Sequence, residues 1–171
     1  MIKSTNNNKP LYIWDIRVAI IGFFLCVIIS ILFCVVYVLD NERMNFIGSV
    51  DEYKLHDNYT VIIDSVESSG KYYNIYGCAL ELGKDIAYVN NHFVLIDKHG
   101  QVKKISTVNV KRESATQYFN DGYNYDSCGL IGQVKKTDII EGETYKIGVL
   151  IISNTDEKYL KISDYILTGG E

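Results

Sequence analysis

VAIIGFFLCVIISILFCVVYVL, Val18 to Leu39, is an unbroken apolar run with no charge and no proline. At about 1.5 Å per residue, a helix of this length spans the roughly 30 Å hydrocarbon core of a bilayer. A helix packed inside a soluble domain keeps a polar face, and this run has none. The run divides the chain into an expected cytoplasmic tail over 1–15, a transmembrane helix over 16–39, a short stalk over 40–50 and an extracytoplasmic domain over 51–171.

The flanks of the run set its expected direction. Lys3, Lys9 and Arg17 precede it, whereas Asp40 and Glu42 follow it ahead of Arg43. The excess of basic residues on the amino side predicts a cytoplasmic amino end. Tyr12, Trp14 and Tyr37 stand where amphipathic rings favour the membrane interface. No A-x-A cleavage pattern follows the run, and Cys26 and Cys34 lack the small residues that precede a lipoprotein cysteine. The expectation is an uncleaved signal anchor, single-pass in the cell membrane. Within it Gly22, Cys26, Ser30 and Cys34 recur every fourth residue. Small side chains at that spacing let a second helix approach closely, whether a membrane partner or another copy. The plain alternative is chance spacing on a lipid-facing helix.

Beyond the run the chain is acidic. From Asp40 onward it keeps 14 of its 17 basic and 20 of its 21 acidic residues, a net charge of −6. That balance argues against nucleic acid and against charge-driven binding to anionic lipid head groups. The three histidines, His56, His92 and His99, show no metal-ligand spacing with cysteines or carboxylates. No nucleotide-binding glycine motif or nucleophile elbow occurs, so neither a metal nor a cofactor is expected.

The outer part reads as short extended runs separated by turn residues. Tyr59 to Val66 is rich in β-branched residues, and Lys71 to Leu82 alternates, with Tyr72, Asn74, Tyr76, Cys78, Leu80 and Leu82 on one face. His92 to Asp97 is apolar on both faces, as in the middle of a sheet. Gln101 to Val110, Asp126 to Lys135, Thr144 to Ser153 and Lys158 to Leu167 continue the series, and Lys111 to Phe119 suits one helical turn. Seven or eight strands at this spacing predict an all-β fold, an antiparallel β-sandwich of Ig-like or jelly-roll-like type, with a closed barrel as the alternative.

Several motifs occur in a recognisable order: Gly77-Cys78-Ala79, Phe93 to Ile96 followed by His99-Gly100, Arg112 to Phe119, Gly129-Leu130, and Gly142 to Tyr145. In that order they resemble the small β-sandwich modules carried by bacterial membrane and surface-polysaccharide proteins, over roughly residues 60–168. Cys78 stands where the pattern has tryptophan, and Leu130 where it has phenylalanine. The resemblance implies a sandwich working beside envelope polysaccharide.

Three further readings concern chemistry. Cys78 and Cys128 are the only cysteines beyond the apolar run, and either a disulfide or two buried free thiols fit them. A sortase-like surface enzyme would use His92 and Cys128 but also an arginine after the cysteine, and none follows; a catalytic role is not expected. The densest candidate for ligand binding is YFNDGYNYD, with Tyr118, Phe119, Tyr123 and Tyr125 as flat faces and Asp121 and Asp126 as acceptors. Its aromatics otherwise fold back onto the domain. Asn58-Tyr59-Thr60 fits a glycosylation sequon. The expectation is a membrane-anchored module that binds at the cell surface, with a glycan as the candidate ligand. Its rival is a structural subunit of a membrane complex.

Overall fold

The computed structural model describes residues 13–41, 43–55, 57–87 and 89–170. Residues 1–12 of the expected tail, Glu42 and His56 lie outside the described residues; the last three residues of that tail, Ile13 to Asp15, are helical. The described residues form two compact units that divide between Asp40 and Asn41, at the end of the first helix.

The first unit holds helix α1, Ile13–Asn41. Within its segment Arg17–Leu39 an 18-residue stretch has a mean hydropathy of 3.2, and none of that stretch is buried against protein. It is long and apolar enough to cross a membrane.

The second unit is a β-sandwich. Its strands are β1 (Asn45–Ser49), β2 (Lys54–Leu55), β3 (Tyr59–Ser69), β4 (Tyr72–Glu81), β5 (Asn91–Ile96), β6 (Gln101–Lys104), β7 (Ser106–Val110), β8 (Gly129–Lys135), β9 (Thr144–Ile152) and β10 (Lys158–Thr168). Helix α2, Glu113–Phe119, lies between β7 and β8. One sheet runs β1-β6-β5-β9-β10-β2 and the other β3-β4-β8-β7. The pairs are antiparallel except β2 with β10.

Two expectations change. Residues 45–49, placed in a stalk, form edge strand β1, paired with β6 from Asn45 opposite Lys104 to Ser49 opposite Gln101. The preceding Met44 packs on the core, so the sandwich begins before residue 51. The run Gln101 to Val110, read as one strand, is two strands in different sheets. Ile105 joins them, 2 % exposed, with its amide donating to the carbonyl of Phe93. The chain changes layer at this single residue because its apolar side chain belongs in the space between the sheets.

That space is filled by Tyr73, Ile75 and Ala79 of β4, Phe93 and Leu95 of β5, Leu130 and Val134 of β8, and Tyr145, Ile147, Val149 and Ile151 of β9. Burying each large apolar side chain contributes about 1.5–3 kcal/mol. Phe93 sits against two glycines: a Cβ at Gly132 would come 2.7 Å from its Cδ2, and one at Gly77 would come 3.2 Å from its Cζ. Two backbones of one sheet thereby make room for a ring of the other.

A groove beneath helix α2

The outer face of the smaller sheet carries the candidate site. Register sets Ile62 beside Cys78, Cys78 beside Gly129 and Gly129 beside Val110, so these four form one row across β3, β4, β8 and β7. At the β4 end of this face Cys78 and Leu80 are buried, although they point away from the main core. Helix α2 and the loop after it cover them, and Ala115, Tyr125 and Cys128 complete this second apolar cluster, with Ile86 and Phe119 packed on it.

The cover is fastened covalently and by hydrogen bonds. Cys78 and Cys128 form a disulfide, which decides between the two readings of these cysteines. The Ala79 amide donates to the Cys128 carbonyl at 3.0 Å. The Thr116 hydroxyl donates to the Asp126 carboxylate and accepts from the Tyr125 amide at 2.8 Å. The Tyr125 phenol donates to Asp121 at 2.7 Å and accepts from the Gly83 amide at 2.8 Å. Its pKa is raised, first by burial and then by the hydrogen bond to Asp121. Asp85 accepts from the Asn124 amide at 2.7 Å. Asn120 ends α2 in the left-handed conformation, φ 44°, with its amide returning to Thr116.

Between α2 and the sheet lies a cavity of about 450 Å³, lined by Ile62, Asp64, Cys78, Arg112, Ser114, Ala115, Tyr118 and Phe119. A smaller one of about 160 Å³ shares Asp64 and Arg112 and runs on past Tyr76, Val110, Lys111 and Ile131. Asp64 sits at the β-bulge where the β3–β4 register slips between Ile63 and Ser65. The bulge adds an unpaired residue and re-aims its side chain. Arg112 grips the Asp64 carboxylate with both terminal nitrogens, and each side chain stays 35 % exposed. Arg112 reaches this position because its chain crosses close over β8. A Cβ at Gly129 would stand 2.9 Å from Val110 Cγ2 and 3.3 Å from Arg112 Cβ. Tyr118 projects at the rim, 80 % exposed, with Phe119 edge-on behind it at 5.1 Å between ring centres.

The expected ligand residues therefore separate. Tyr118 and Phe119 line the groove. Tyr125 does not face a ligand: it is fully buried as the centre of the cover. Asp121 and Asp126 are its fastenings, bonded to Tyr125 and Thr116, and are not free acceptors. Tyr123, 41 % exposed, packs at 6.5 Å from Tyr125, and it does not line the groove. The groove residues missed from sequence are Ile62, Asp64, Ser114 and Ala115, together with Arg112 as Asp64's partner. Gly22, Cys26, Ser30 and Cys34 lie exposed along α1, and the Ser30 hydroxyl donates back to the Cys26 carbonyl at 2.9 Å.

His92 is half-buried beside Asn90, with its pKa lowered first by burial and then by Lys104. His99 is exposed in a turn. Cys128, held in its bridge, offers no thiolate to a partner histidine. Asn58 is exposed in the turn before β3. No group of three metal-ligating side chains occurs among the described residues.

No family model matches the chain, and no curated protein sequence matches it. The structure is similar to the crystal structure of a DUF4426 family protein from Pseudomonas aeruginosa PAO1. The TM-score is 0.41 at 14 % identity, over 69 % of this chain and 97 % of that one.

Proposed function

We propose that the protein is a membrane-anchored, extracytoplasmic binding module whose site is the groove beneath α2, and that it works on envelope polysaccharide. The observation that carries this reading is the rim itself. An exposed aromatic, Tyr118, stands beside a bidentate Arg112–Asp64 pair over an apolar floor. A sugar ring presents an apolar face that stacks on an aromatic, and hydroxyls that both donate and accept. The guanidinium keeps donors beyond the two spent on Asp64, and the carboxylate keeps lone pairs, so the pair serves both kinds of hydroxyl contact. The fastened cover supports the reading too, because a site held rigid loses little entropy on binding.

Placement outside the cytoplasm is supported by two features. The Cys78–Cys128 disulfide belongs to an oxidising compartment. Arg17 stands before the apolar span and Asp40 after it.

The test uses the full chain in mild detergent with immobilised cell-wall polysaccharide. Tyr118→Ala and Arg112→Ala are each expected to abolish retention while thermal unfolding stays cooperative. Retention unchanged in both variants overturns the groove as the site. Protease added to intact cells is expected to remove the sandwich, and a spared sandwich overturns the orientation.

A further inference from the structure

Resting on that reading, we infer that the occupant is a linear acidic glycan that lies across the strands, with an uncharged ring on Tyr118 and a carboxylate at Lys111. The two cavities adjoin at the Asp64–Arg112 pair, which lines both, so a ligand laid over that pair reaches each of them. The path runs from Ile62 on β3 to Val110 on β7, three strand spacings, or about 14 Å at about 4.8 Å per spacing. That length suits a chain of sugars and exceeds a single ring.

Its two ends differ in charge. At the Tyr118 end the lining side chains are uncharged, including the bridged Cys78, apart from the Arg112–Asp64 pair, which neutralises itself. At the other end Lys111 is added, and no second carboxylate accompanies it. Lys111 is exposed and takes part in no ion pair among the described residues. Glu113, the nearest acid in sequence, does not line either cavity. An ammonium without a partner, in a trough whose other charges cancel, is complementary to an anion on the ligand.

The experiment measures affinity of the full chain in detergent for oligogalacturonate and for hyaluronan fragments, each beside its carboxyl-reduced, uncharged counterpart. At low salt the acidic form of at least one chain is expected to bind about fivefold tighter than its reduced form. Lys111→Gln is expected to erase that preference, bringing the acidic form down to the affinity of its reduced counterpart. Tyr118→Ala is expected to weaken both forms alike. Equal binding of acidic and reduced forms overturns the acidic assignment and leaves the groove reading standing. Failure of every one of these chains to bind overturns the assignment as well; retention on whole cell-wall polysaccharide, scored separately, then decides the broader reading. A preference that survives Lys111→Gln places the anion elsewhere and overturns the two-ended groove.

Discussion

The two sheets treat their outer faces differently. The larger sheet has a second apolar layer on its outside: Val94, Ile96, Val102, Leu150 and Leu160, with Ile47, Val50 and Tyr53 folded over them. A short helical turn, Val50–Glu52, brings Val50 and Tyr53 there, and the Tyr53 phenol donates to the Ile47 carbonyl at 2.6 Å. The lid is local, drawn from the residues next to β1, and under it Val94, Ile96, Val102, Leu150 and Leu160 are buried. The smaller sheet borrows its cover from the long connection between β7 and β8, and that cover stops partway. A lid made of neighbouring residues fits the face it grows from. A lid imported from a distant loop must be fastened, and here it leaves a groove open at its margin.

The comparison breaks first at the fastening. Replacing both Cys78 and Cys128 by alanine opens a loop of sequence separation 50. The chain-entropy treatment of a loop that size gives a loss of about 4 kcal/mol. Thermal unfolding in detergent checks it; a loss below about 1 kcal/mol would show that hydrogen bonds alone hold the cover. Next comes Leu160→Ala under the closed lid, where Leu160 is fully buried. It is expected to cost about 3 kcal/mol and leave polysaccharide retention unchanged, since Leu160 lies in the sheet opposite the groove. Altered retention at full occupancy of the folded state would mean the two faces are coupled.

Smaller effects sharpen the contrast. Tyr118→Ala removes a side chain that is 80 % exposed, so its stability change is expected within about 0.5 kcal/mol while retention is lost. A large drop in stability would recast Tyr118 as packing. On the larger sheet, burial of the Asp97 carboxyl works to raise its pKa. The Gln101 amide, the Lys103 ammonium and the His99 amide outweigh burial and hold it below the ordinary 3.8. A depressed folded pKa adds stability that is complete above the unfolded value and lost as pH falls through the folded one. Asp97→Asn is therefore expected to flatten the decline in stability below about pH 4, and an unchanged acid slope refutes the assignment.

Much of the fold was legible because the strands carry their own signal. Thr144 to Ile152 and Tyr59 to Val66 are β-branched or apolar runs bounded by turns, and α2 appeared where a helical turn was expected. Strand β1 was not legible. NFIGS is short, contains a glycine with φ 139°, and becomes a strand only because β6, more than fifty residues away, offers an edge. The site was half legible for a similar reason. Tyr118 and Phe119 stood out by type. Asp64 and Arg112 lie 48 residues apart, and a bulge that no local pattern announces brings them together. Tyr125 looked like its neighbours Tyr118 and Tyr123, and only the long-range bonds to Gly83 and across the cysteine bridge decide that it turns inward.

The crossing at Ile105 has a consequence for how this sequence tolerates change. With one residue between strands in opposite layers, there is no slack to absorb an insertion or a deletion. A single extra amino acid there would rotate β6 or β7 by half a turn, exchanging inward and outward side chains along its whole length. Related chains are expected to differ in length freely at the hairpin tips and never at this junction.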